Sequence, residues 1–263
     1  RRRAAGAEGA LGTAPTRSRR PPQERAQRLG HVVRDLAGPD EVPQRVQHGL
    51  HGRRRAGTGE NFWQYRRFVD AGIPIVALDR DLPELSVPSV KADHLAGGRM
   101  MAEHLLALGH RNMAVIGAPA HSPPVLARVQ GVVDRLAGSG LVAQVHLGAV
   151  HDFDACKDLA QDVLANRPTA VIGTTDIAAI GAIHAAIGMG LAVPGDVSVI
   201  GFDDLPAARY VLPALTTVAQ PLREIGAQAV AQLCALMRGE PLLPVAAPEL
   251  RLILRDTTAA PRG

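Results

Sequence analysis

The stretch Val197–Gln220, VSVIGFDDLPAARYVLPALTTVAQ, decides the fold. Val197–Ile200 is a short apolar run closed by Gly201, the pattern of a strand buried on both faces. It delivers Phe202, Asp203 and Asp204, and a second extended run, Leu215–Ala219, ends at Gln220. An aromatic ring, two carboxylates and an amide are thereby set at the carboxyl ends of two strands. Open α/β sheets bind their ligands at such ends.

Working outward, the same alternation continues on both sides. Towards the N-terminus the spacing predicts a helix over Ile177–Met189, a strand over Ala170–Gly173 ending in Thr174, Thr175 and Asp176, and a helix over Phe153–Ala165. Further back come strands at Val142–Leu147 and Met113–Gly117, a helix at Pro124–Leu136, and a helix from Asp93, its N-cap, to Leu108. Val87–Ala92 reads as a short extended segment, and Ile73–Leu78 as a buried strand that delivers Asp79, Arg80 and Asp81. Towards the C-terminus follow a helix over Leu222–Met237 and a strand over Leu250–Leu254. Strands and helices alternating through short loops predict a parallel sheet with helices on both faces.

The first seventy residues read differently. Residues 1–28 lack apolar periodicity and are rich in Pro, Gly, Ser and Arg, which predicts a disordered tail or linker. A strand at Leu29–Leu36 and a short helix at Val42–His51 precede a basic, glycine-punctuated loop at 52–59. Phe62–Ala71 is helical, with Phe62, Tyr65, Phe68 and Val69 on one face, and Gly72 stands where a positive φ ends a helix. Residues 1–67 carry 15 Arg against 6 Asp and Glu, which is +9. Residues 68–263 carry 14 Lys and Arg against 19 acids, which is −5, and the sum is the overall +4. Such a basic head fits a nucleic-acid arm or an Arg-biased tail without a specific partner; composition does not separate the two.

Several chemistries lack their residues. No G-x-x-x-x-G-K-[ST] loop occurs, and Gly97–Gly98 lack the dinucleotide spacing. His151, Asp152 and Asp154 form an HDFD cluster ahead of a helix, where an N-cap role suits Asp152 or Asp154 better than metal ligation, because no Cys or second His stands at ligand spacing. There is no G-x-S-x-G elbow. Cys156 and Cys234 lie far apart in helical patterns and read as two buried thiols. No enzyme, metal or cofactor is expected. Neither a membrane span nor a secretory signal is visible, which sets a cytoplasmic location as the default.

The strand-end groups are therefore the site candidates. Asp79 and Arg80 end one strand, Thr175 and Asp176 another, Asp203 a third and Gln220 a fourth, while Arg128 lies in a helix with the spacing R-x-x-G to Gly131. Any one of them alone reads as a cap or a surface ion pair. Together they match a polyhydroxylated ligand: carboxylate and guanidinium bond hydroxyls in pairs, and a ring such as Phe202 covers a C–H face.

Residues 73–258, about seven tenths of the chain, resemble the effector-binding domain of the LacI/GalR family of bacterial transcriptional repressors. The matching stretches are GIPIVALDRDLP, VPSVKADHLAGGRMMAEHLLALGHRNMAVIGAP, RPTAVIGTTDIAAIGAIHAAIGMGLAVPGDVSVIGFDDLPAARYVLPALTTVAQPLREIGAQAVAQL and ELRLILRDTT. The resemblance implies a periplasmic-binding-protein type I fold: two Rossmann-like lobes with parallel sheets, joined by crossovers near Val90–Ala92, Gln220 and Ala246–Pro248. The lobes would be 29–91 with 221–245, and 92–220 with 246–258. It also implies a sugar or nucleobase effector in the inter-lobe cleft, met by Asp79, Arg80, Arg128, Thr175, Phe202, Asp203 and Gln220, in a homodimer whose DNA affinity responds to closure.

Three departures stand out. Thr175–Asp176 replaces the family's Asn–Asp, and Thr has no amide donor–acceptor pair. Gly38–Pro39–Asp40–Glu41 occupies the place of an aromatic turn. Only a basic loop of about ten residues stands where a strand–helix–strand unit of about 30 belongs, so the first lobe is shortened. Residues 1–28 hold no helix–turn–helix, so operator DNA is expected to be reached only through a reader that this stretch does not provide. A solute-binding protein of a transporter and a non-functional truncated remnant are the competing readings; the lack of a signal peptide argues against the former.

Overall fold

A computed structural model of the chain describes residues 63–117, 122–148, 152–242, 244 and 246–262. All belong to one of the two units into which the chain divides, Thr58–Gly263. The strand at Leu29–Leu36, the helix at Val42–His51 and His151 lie outside the described residues.

Apolar runs too short for helices make the central sheet. Its strands are β3 (Met113–Gly117), β4 (Gln144–Leu147), β5 (Ala170–Gly173), β6 (Ser198–Asp203), β7 (Thr216–Ala219) and β8 (Arg251–Ile253). The order is β4-β3-β5-β6-β7-β8, with every pair parallel except the antiparallel β7–β8 edge. β3 and β5 are buried along their whole length, as strands covered on both faces must be.

Period-two alternation divides the core. Ala114, Ile116, Val171 and Val199 face the helices α4 (Phe153–Leu164) and α5 (Asp176–Gly188). Met113, Val115, Ile172, Ile200 and Phe202 face α2 (His94–Ala107) and α3 (Pro123–Ala137). Small residues let α2 and α3 touch. A Cβ on Gly98 would stand 2.0 Å from the Arg128 carbonyl oxygen, and one on Gly131 2.1 Å from that of Leu95. The Gly of R-x-x-G is thus a helix-packing residue.

A second, two-stranded parallel sheet pairs β1 (Ala77–Leu78) with β2 (Ser89–Val90). The expected buried strand at Ile73–Leu78 contracts to these two residues because β2, its partner among the described residues, is itself only two long. Ala77 is buried and Leu78 exposed. A 3₁₀ turn at Pro83–Leu85, which periodicity did not reveal, and α1 (Trp63–Asp70) close a small cluster of Ala77, Leu82 and Leu85, against which Val69 packs. Tyr65, expected on that face, is exposed. Gly72 follows with φ 73°, as its position required. The helix α7 (Leu222–Arg238) sends Ile225 and Ala229 into the cluster that holds Val90 and Ala92.

Two smaller expectations resolve here. Asp152 caps α4, its carboxylate accepting from the Ala155 N–H at 2.8 Å. Both cysteines are free, but only Cys156 is buried; Cys234 sits on α7, half-exposed. Burial, with Asp152 nearby, pushes the Cys156 thiol above its ordinary pKa. No described helix is long and apolar enough to cross a membrane.

Candidate functional site

The strand ends that carry the candidate residues are locally strained. Asp79, Asp203 and Asp204 have φ of 57°, 123° and 53°. Asp is among the few residues other than Gly that adopt such backbone, and strain of this kind gathers at ligand clamps. Asp204 is held structurally: its carboxylate pairs with Arg255 and, at 3.2 Å, with Arg209. Arg255 also donates to the Leu215 carbonyl at 2.7 Å, which ties β6 to the start of β7.

Arg128 is the centre of the arrangement. Although charged, it is 3 % exposed. Its Nη1 donates to the Thr174 carbonyl at 2.7 Å, its Nε to His94 Nδ1 at 3.2 Å, and Nη2 lies 3.5 Å from Asp203 Oδ1. The guanidinium sits 3.8 Å above the Phe202 ring, a cation–π stack. Burial pulls the Arg128 pKa down, and the charges of Asp203, Asp79 and Asp176 push it back. An arginine in such surroundings stays protonated. Gly97 makes the stack possible, because a Cβ there would come within 2.4 Å of the Phe202 ring.

Hydrogen bonds extend from Arg128 both ways. His94 Nε2 bonds Asp79 Oδ1 at 2.8 Å, and Gln220 Nε2 donates to Asp203 Oδ1 at 2.7 Å. Asp79, His94, Arg128, Asp203 and Gln220 form one continuous polar chain from the end of β1 to the end of β7. The Gln220 Oε1 is buried and meets no donor among the described residues.

The chain borders an open cleft of about 480 Å³, whose lining includes Asp79, Arg80, Asp81, Lys91, Asp93, His94, Pro123, Pro124, Ala127 and Ala247. Lys91 is paired with Asp81, which also accepts from Ser89, and these bonds hold the Asp81 carboxyl below its ordinary pKa. Of the residues singled out in the sequence, Asp79 and Arg80 line this cleft. Arg128, Phe202, Asp203 and Gln220 stand behind it, in contact with one another.

Two expectations change. Phe202 is fully buried beneath Arg128, so its ring holds the guanidinium and has no face left for a sugar. Thr175 is the N-cap of α5, its hydroxyl accepting from Ala178 N–H at 3.3 Å with 5 % exposure. Its neighbour Asp176 is wholly buried: one oxygen accepts from the Thr217 hydroxyl and the other from the Leu205 N–H, each at 2.6 Å. Burial pushes the Asp176 pKa up to about 7, with Asp203 and Asp204 adding to the rise and the two hydrogen bonds opposing it.

His94 is the residue that sequence reasoning missed. It follows the N-cap Asp93 and lies seven residues before Met101 on the same buried stripe of α2. A polar ring on an apolar stripe was the available signal. No group of three or more His, Cys, Asp or Glu able to hold a metal ion occurs among the described residues.

Comparison with known proteins bears on the same segment. A periplasmic-binding-protein-like domain family matches residues 102–258. A ribose operon repressor of Halalkalibacterium halodurans is 31 % identical over 206 residues, covering 75 % of this chain and 60 % of the relative, so the chain spans about three fifths of that protein's length. A sugar-binding LacI-family regulator of Escherichia coli, solved with phosphate, is 28 % identical with a TM-score of 0.67 and coverage of 83 % of this chain and 82 % of that one. A LacI-family regulator from Mycobacterium smegmatis superposes with a TM-score of 0.69 at 32 % identity, over 80 % of this chain and 78 % of its own. Sequence motifs, sheet order and likeness agree, and this chain belongs to the LacI family of transcriptional regulators.

Proposed function

We propose that the described unit is the ligand-sensing part of a transcriptional repressor. It takes a small polyhydroxylated effector, a sugar, in the cleft beside Asp79 and passes its occupancy to an attached DNA reader in a homodimer. The observation that carries this reading is the polar chain from Gln220 and Asp203 through Arg128 and His94 to Asp79, whose second carboxylate oxygen, at the cleft wall, meets no donor among the described residues. A ligand hydroxyl supplies such a donor, and carboxylates accept others. The resemblance to a ribose operon repressor and to a sugar-binding regulator supports the same ligand class.

Two lobes belong to this reading, 29–91 with 221–245 and 92–220 with 246–258. The packing of α7 against the residues around β2 supports placing 221–245 with the shorter sheet. Effector-driven closure of the lobes would be a hinge motion, with a coupling to DNA affinity of about 1–3 kcal/mol.

Asp203→Ala is the direct test. Asp203 is 19 % exposed at the end of β6, but its φ of 123° and its pairing with buried Arg128 make Ala costly there, so the variant's fold is checked by its melting curve before binding is read. Calorimetry with pentoses, hexoses and purines should find a ligand for the wild-type chain and none for Asp203→Ala. Equal binding by both would remove Asp203 from the site. Arg128→Ala is a poorer test, because it leaves Asp203 and Asp79 without their buried cation, a loss on the order of 3–5 kcal/mol of stability.

A further inference from the structure

His94 is placed where the two sheets meet. It opens α2, lines the cleft, and is itself 5 % exposed. Its two ring nitrogens bond different partners: Nδ1 faces Arg128 Nε at 3.2 Å, and Nε2 faces Asp79 Oδ1 at 2.8 Å. Arginine Nε can only donate, so Nδ1 must accept, and the ring proton is forced onto Nε2, where it is donated to Asp79. The ring thereby fixes one carboxylate oxygen of Asp79. The other oxygen takes no hydrogen bond among the described residues, and Asp79 is 39 % exposed at the cleft wall.

Packing leaves the ring little freedom. Its centroid lies 5.9 Å from that of Phe202, tilted by 47°, and the Phe202 ring also carries the Arg128 guanidinium. Asp79 and Arg128 have no direct hydrogen bond; the imidazole is the link between them.

We propose that His94 is a positioning residue: it sets the orientation of Asp79 towards the cleft and makes the hold on Arg128 depend on what Asp79 is bonded to. When a ligand hydroxyl donates to Asp79, the carboxylate's bond to Nε2–H is altered, and through the same ring so is the seat of the guanidinium that faces Asp203. Only the ligand arm of this inference rests on the sensing function.

The test has two arms on the full chain. In the first, unfolding midpoints in urea are measured for Asp79→Asn, Arg128→Lys and the double variant, in the native and the His94→Leu backgrounds. Arg128→Lys keeps the positive charge, so direct charge attraction to Asp79 cancels in each cycle and the link through the ring remains. The expected result is non-additive midpoints with His94 present and additive ones with Leu. Additivity with His94 present, or equal non-additivity in both backgrounds, overturns the proposal; if Arg128→Lys does not fold, the ¹⁵N signature of the His94 tautomer replaces it, with Nε2–H expected and Nδ1–H overturning the proposal. In the second arm D-ribose is titrated into wild type and His94→Leu, with at least a tenfold weakening expected. Binding unchanged by His94→Leu removes the positioning role, whereas no ribose binding by the wild type counts against ribose sensing and leaves the first arm to decide the relay.

Discussion

Replacing Asp176 by Asn should make the chain more stable at neutral pH, by a margin that shrinks as the pH falls. The Asp176 carboxyl is fully buried and its pKa is pushed up from 3.8 to about 7, chiefly by burial. A folded state that binds a proton more tightly than the unfolded one loses stability as pH rises between the two values. The contribution is full below about 4, falls as the unfolded chain ionises, and is gone above about 7. That difference corresponds to about 4 kcal/mol, of which about 3 kcal/mol falls between pH 5 and pH 8. The amide of Asn mimics the protonated acid: its oxygen accepts from the Leu205 N–H and its nitrogen donates to the Thr217 hydroxyl. Half-buried His104 and buried His110, whose pKa values burial lowers, contribute the opposite slope, losing stability as pH falls through about 6.5. Both are present in either chain and cancel in the difference. Urea unfolding of the two proteins from pH 5 to pH 8 should give curves that diverge with rising pH, the variant on top. Parallel curves, or a variant less stable at pH 8, would refute the buried neutral acid.

Two further outcomes follow from packing. Gly131→Ala should lower stability by about 1–3 kcal/mol, because the new methyl meets the Leu95 carbonyl and prises α2 from α3; thermal melts unchanged from wild type would contradict the tight crossing. Arg255→Ala should cost about 1.5–3 kcal/mol by freeing Asp204 and the Leu215 carbonyl, and faster hydrogen exchange around β7 should report it.

The sheet was legible where apolar runs such as β3 and β5 are each followed by a helix with its own period. Ala170–Gly173 was read to the residue. Edges were less so: β6 runs on to Asp203, since Gly201 ends an apolar pattern without ending the hydrogen-bond ladder to β7. The one-turn helix α6 (Ala207–Tyr210) is too short to show a period. In the site, sequence found the charged residues and misplaced their partners. Phe202 was legible as a ring at a strand end, but only the folded structure reveals that Arg128 of α3 occupies its face. His94 joins residues 15 and 34 positions away, a relation that no local spacing encodes.

The stretch after β8 matters for the order in which the molecule is completed. The Thr257 hydroxyl donates to the Val199 carbonyl at 2.6 Å and accepts from Thr216 N–H at 2.9 Å, while His110 Nε2 meets the Ala259 carbonyl at 2.8 Å across 149 residues of sequence. Strands β6 and β7 thus have main-chain groups at their amino ends that stay unpaired until residues 257–259 are in place. A ribosome must release nearly all of the unit before its central sheet can be sealed. Contacts of such long range slow folding, and a nascent chain stalled before Thr257 would expose an unsealed sheet to chaperones and proteases.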